Sequence, residues 1–201
     1  AGPTTHSKPS DDGGDFIRSL GIDEETRALE DGDRLAASGD YEGARVAYAR
    51  AWRVLRLPSV LLKLAAAEER CGRLVDALRS YGELIKLTEP GSDYTASVAS
   101  DHPDVSETLK ATRRHAEQKL TLLVERVGRL EVDCPHGAKV SIDGHEVPGP
   151  TDQPIWVEAG AHVIDASLGQ ITECVTVHCR AGTIQTITVL RGAGSQRWNP
   201  N

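Results

Sequence analysis

The chain has 201 residues, room for two small domains, and carries a net charge of −7 from 30 acidic and 23 basic side chains. One Phe, three Trp and four Tyr in an acidic chain leave no basic, aromatic-studded surface, which excludes a nucleic-acid partner. No apolar run is long enough to cross a bilayer, so no membrane span is expected.

Residues 1–22 are expected to be a disordered tether, because Ala1 to Gly14 is rich in Ser, Thr, Pro, Gly and Asp. The chain begins at Ala1 and contains no Met, which suits a processed or trimmed product, such as one that has lost a signal peptide.

A helical region is expected over 23–127. A shift of 33 residues lays Gly39, Ala44 and Tyr48 onto Gly72, Ala77 and Tyr81. A period of 33 or 34 residues in helix-forming sequence marks a helix-turn-helix repeat. In the first copy, Glu24 to Leu57, Gly39 suits the left-handed residue that ends one helix, and Asp40 suits the cap of the next. Ala44, Tyr48, Ala51, Trp52 and Leu55 then trace one helical face. Gly32 and Ala44 are expected at a close helix crossing, with Tyr48 as a knob between neighbours. The second copy, from Pro58 to Glu89, places Leu61, Leu64, Ala65 and Glu68 before the turn at Gly72, and Leu74, Ala77, Leu78, Tyr81, Leu84 and Ile85 after it.

This pattern resembles the tetratricopeptide repeat, with Pro58 and Pro90 near the repeat ends as in that family and departures at Ala65 and Leu84. The resemblance implies a concave groove for an extended peptide or a partner helix. Members that grip a C-terminal carboxylate carry Lys and Asn there, whereas the matching surface here carries Leu29, Asp33, Leu62 and Ala66, so a carboxylate clamp is not expected. Asp33, Leu62, Glu69 and Arg70 are the candidate groove contacts.

Two repeats leave an open apolar face that needs a cap. Val105, Leu109, Thr112, Ala116, Leu120, Leu123 and Val127 recur at helical steps, so a long amphipathic helix from Pro103 to about Arg126 is expected to supply it. Pro90 to His102, polar and long for a helix connection, is expected to be a surface loop with no assigned role.

Over 128–191 the period changes to two-residue alternation. Leu130, Val132 and Cys134 alternate with polar residues, as do Val140 and Ile142, then Ile155 and Val157. Turns fall at Asp143-Gly144, Ala159-Gly160, Leu168-Gly169 and Ala181-Gly182, and further strands are expected over 162–167, 170–178 and 183–190. The expected architecture is therefore α+β in two domains, a helical repeat followed by a small antiparallel β-sandwich of seven short strands. Residues 192–201 read as a flexible tail.

Pro135-His136-Gly137-Ala138, Ile142-Asp143-Gly144 and Gly160-Ala161-His162 resemble the signature of the PEGA domain, with His136 in place of its Glu. The resemblance implies a noncatalytic sandwich of bacterial envelope proteins. Repeats followed by such a domain are similar to exported proteins of myxobacteria, which implies a periplasmic or extracellular location.

Cys134 and Cys179 share the inward parity of the strands and are the expected disulfide, with Cys174 a competing partner. Cys134, His136, His178 and Cys179 are the donors of an alternative zinc site, but adjacent strand residues point to opposite faces, and no metal is assigned. Phosphate loops, nucleophile elbows and metalloprotease helices are missing from the sequence, and Asp143, His145 and Glu146 are the polar residues that a hairpin tip requires. No enzyme activity and no cofactor are expected. The expected role is a scaffold of the cell envelope that binds another protein or peptide. The alternative is a glycan- or peptidoglycan-binding sandwich with Trp156, which alternation turns away from the core, as its stacking platform.

Overall fold

A computed structural model describes residues 12–99, 103–147 and 153–191, and these form an α+β protein in which six helices precede seven strands. The expected tail and the first 11 residues of the expected tether lie outside the described residues, while Asp12 already opens a helix. The chain divides into two compact units, 1–71 and 72–201.

The first unit holds α1 (Asp12–Ala37), α2 (Tyr41–Leu55) and α3 (Pro58–Arg70). The turn after α1 is made as the residues dictate. Gly39 takes a positive φ of 85°, and the Asp40 carboxylate accepts a 2.9 Å hydrogen bond from the Gly43 amide in the first turn of α2. Pro58 opens α3, where the missing amide hydrogen costs nothing. α2 packs on both neighbours and buries Ala44, Tyr48, Ala51 and Trp52. At the expected crossing the nearest atoms to Gly32 belong to Tyr48. A Cβ on Gly32 would lie 2.5 and 2.6 Å from ring carbons of Tyr48, so the glycine is a notch for that ring.

The second unit begins with α4 (Leu74–Leu87), α5 (Asp93–Ala99) and α6 (Pro103–Val124). α6 is the long helix that the apolar spacing predicts, and it packs along α4, with Leu120 against Gly82. The expected loop from Pro90 to His102 contains α5 instead. Ser92 starts that helix, its hydroxyl oxygen accepting from the Thr95 amide at 3.2 Å and its carbonyl from the Ala96 amide at 2.9 Å.

Seven strands follow: β1 (Gly128–Asp133), β2 (Lys139–Ile142), β3 (His145–Val147), β4 (Ile155–Val157), β5 (Gly160–Leu168), β6 (Ile171–Cys179) and β7 (Ile184–Thr188). They form a three-stranded sheet in the order β4-β1-β7 and a four-stranded sheet in the order β3-β2-β5-β6. Inward residues of both build one core that includes Leu130, Val132, Val140, Ile142, Ile164 and Val189. Asp143 and Gly144 both have positive φ, 51° and 78°, the conformation that joins β2 to β3 in a two-residue hairpin.

The sheets are not wholly antiparallel as expected, because β7 pairs with β1 in parallel. The chain crosses between sheets beside the start of β1, where the Gly182 amide donates to the Val127 carbonyl at 2.8 Å and the Arg129 amide donates to the Thr183 carbonyl at 3.0 Å. β7 therefore starts where β1 starts and must run the same way.

Candidate functional site

The helical candidates lie in the first unit. Asp33, on α1, accepts a hydrogen bond from the Tyr48 hydroxyl at 2.8 Å, and both its oxygens lie 2.7 Å from the Lys63 ammonium on α3. One carboxylate thus ties three helices. Burial pushes its pKa up, but the bonds from Lys63 and Tyr48 prevail and hold it below the ordinary carboxylate value. Burial, aided by the bond to Asp33, raises the Tyr48 phenol. Leu62 and Glu69, seven residues apart on α3 and both half-buried, share a helical face with the exposed Ala66. Arg70 is exposed and lies over the Tyr41 ring, 5.2 Å from its centroid. Asp33 and Arg70 are therefore engaged within the unit itself.

The second unit contains an open cleft of about 560 Å³ bounded by the start of α4, the β2–β3 hairpin and β4. Trp156 stands in its wall on the edge strand β4, and the Arg129 guanidinium lies 5.2 Å from the indole centroid. That places a cation on one face of the proposed stacking platform. Arg79 and Arg73 approach Asp76 at 3.2 and 3.9 Å along the α4 side of the cleft.

Among the residues lining the cleft, Asp143 of the Ile142-Asp143-Gly144 motif meets His162 of the Gly160-Ala161-His162 motif. His162 is 8% exposed, with Nδ1 2.6 Å from an oxygen of Asp143 and Nε2 2.7 Å from the Glu158 carbonyl. The other Asp143 oxygen accepts from the Val163 amide at 2.9 Å. Glu158 also reaches outward, and its carboxylate accepts from the Val75 amide at 2.8 Å. Arg73, at the helix start, provides no side-chain cap, so this distant carboxylate serves the first turn of α4.

The electrostatics follow from these contacts. Burial pulls His162 down, but the bonds to Asp143 and to the Glu158 carbonyl outweigh it and leave the imidazole above its ordinary value. The bond from His162, aided by the Val163 amide, lowers the Asp143 carboxyl. A carbonyl oxygen only accepts, so Nε2 carries a hydrogen, and an ionised Asp143 requires a second hydrogen on Nδ1. With both nitrogens engaged, the His162 ring ties together β5, the hairpin and the β4–β5 turn. The sequence marks His162 only through the Gly160-Ala161-His162 motif and does not reveal Asp143 and Glu158 as its partners. The Ile-Asp-Gly and Gly-x-His motifs were the available signal.

The cysteine reading needs correction. The structure has no disulfide, and Cys134 and Cys179 are both buried thiols. A Cβ on Gly128 would lie 3.0 Å from the Cys179 Cβ, whereas Cys134 follows the far end of the same strand. Six extended residues separate those ends by roughly 20 Å. Cys174 is exposed on β6 opposite Asp165, whose hydrogen bond raises its thiol pKa. His136 and His178 are exposed while Cys134 and Cys179 point inward, and no group of three or more His, Cys, Asp or Glu among the described residues is placed to hold a metal. No helix among the described residues is long and apolar enough to cross a membrane. No family model, curated protein or solved structure matches this chain.

Proposed function

We propose that the chain is a non-enzymatic adaptor of the bacterial envelope that binds another protein or peptide through a tetratricopeptide-like face, with a PEGA-like strand module as its docking or spacer element. The observation that carries this reading is the equivalence of residues 33 apart. Gly39 and Gly72 share a positive φ of 85° and 78°, Ala44 and Ala77 are fully buried, and Tyr48 and Tyr81 are buried. Repeats of this kind present surfaces rather than reaction centres. The polar groups best suited to chemistry, Asp33, Asp143 and His162, are held in internal ties, while the α3 face of Leu62, Ala66 and Glu69 reaches the surface. The envelope location rests on the motif resemblance.

Crosslinked capture from an envelope fraction tests the reading. Leu62→Glu is expected to abolish capture of a partner retained by the wild type, with the circular dichroism of the chain unchanged. Undiminished capture by the folded variant refutes the α3 face. Asp33 is a poor probe, because its substitution breaks a helix tie as well as a surface.

Trp156 in the cleft wall favours a second reading, a glycan-binding strand module. Peptidoglycan fragments that quench a component of the tryptophan emission missing from Trp156→Phe would support it, and identical titrations of the two proteins would eliminate it.

A further inference from the structure

The Asp143, His162, Glu158 and Val75 contacts form one continuous chain from the β2–β3 hairpin to the first turn of α4. We infer that His162 is a pH-sensitive latch whose imidazolium fixes the Glu158 turn, and through it the start of α4, and whose loss of a proton releases both and widens the cleft beside Trp156.

The reason is stoichiometric. A neutral imidazole donates one hydrogen, whereas this site has two acceptors, at 2.6 and 2.7 Å. A neutral ring that keeps the Glu158 carbonyl turns a lone pair toward the Asp143 carboxylate. One that keeps Asp143 loses the carbonyl. The first loses the tie to the hairpin and the second loses the tie to the Glu158 turn that reaches Val75, and the Arg73 side chain at the start of α4 provides no cap to replace Glu158. The latch does not depend on the adaptor reading.

The charged groups facing His162 fix the direction. The hairpin contributes Asp143 and His145, whose Nδ1 lies 3.1 Å from the Asp143 carbonyl; the β4–β5 turn contributes Glu158; Arg73 before α4, with Asp76 and Arg79 on it, lines the cleft opposite; and on β6 the buried Cys179 thiol feels the Asp143 charge. Asp143 stays ionised because its pKa is lowered, and Asp76 lies beside two guanidinium groups. The imidazole lies above its ordinary value, so the latch is closed at mildly acid pH and opens as pH rises through that raised value.

The test uses the whole chain and two nuclear magnetic resonance readouts, the ring titration of His162 and the exchange protection of the Val75 amide corrected for its intrinsic pH dependence. The expected result is a loss of Val75 protection of about tenfold with the same midpoint as the His162 ring. Asp143→Asn should move both midpoints down together, and His145→Gln should leave both in place. Val75 protection that stays flat while His162 titrates overturns the latch, as does a midpoint that vanishes with His145. If Asp143→Asn fails to fold, the agreement or disagreement of the two wild-type midpoints still decides.

Discussion

The three helices of residues 12–71 and the seven strands beyond α6 differ in how their side chains are buried. The helices approach closely over small residues, with Ala44, Ala51 and Ala65 fully buried and Gly32 cut to receive the Tyr48 ring. The strands fill one space with branched side chains, among them Leu130, Val132, Val140 and Ile164. The difference teaches where each region is vulnerable. An added atom at Gly32 harms the helices, and atoms removed at Leu130 harm the strands.

The largest effect should come from emptying the strand core. Leu130→Ala removes a fully buried side chain and is expected to lower stability by about 2–5 kcal/mol, measured by urea unfolding. Gly32→Ala tests the converse. Replacing a helical glycine by alanine usually stabilises by about 1 kcal/mol, but overpacking against the ring costs about 1–3 kcal/mol, so a net loss is expected. In a Tyr48→Leu background the same change should become neutral or favourable, and persistence of the loss would disprove the notch. Tyr48→Phe keeps the ring and removes only the bond to Asp33, for an expected loss of about 1 kcal/mol.

The smallest effects should depend on pH in opposite directions. Asp33 has a lowered pKa, so the stability it adds is present above its ordinary value and fades as acid protonates it. His162 has a raised pKa, so its contribution is complete below its ordinary value and fades as alkali removes the proton. Stability curves of Asp33→Asn and His162→Gln against wild type should therefore converge at acid pH for the first and at alkaline pH for the second.

Much of the local structure is legible in the sequence because its causes are local. Gly39 and Asp40 announce a helix end and a cap, the spacing from Val105 to Leu123 announces α6, and Asp143-Gly144 announces a two-residue hairpin. α5 escapes because seven residues with Pro and Gly before them carry too little periodicity. Alternation reports which face a residue joins but neither strand direction nor height along the strand. That is why Cys134 and Cys179 share a face yet sit at opposite ends, and why the parallel run of β7 is invisible. Likewise, nothing local links Glu158 to Val75, which are 83 residues apart.

The pairing of β1 with β7 also bears on the order of assembly. Glu131 and Thr186 touch across a gap of 55 residues, so the first strand of this region waits for the last before its second edge is covered. During synthesis β1 leaves the ribosome with only the short β4 available as a sheet neighbour until β7 emerges. Such long-range closure slows folding, and the nascent strand region would be exposed to aggregation for longer than the helices made before it.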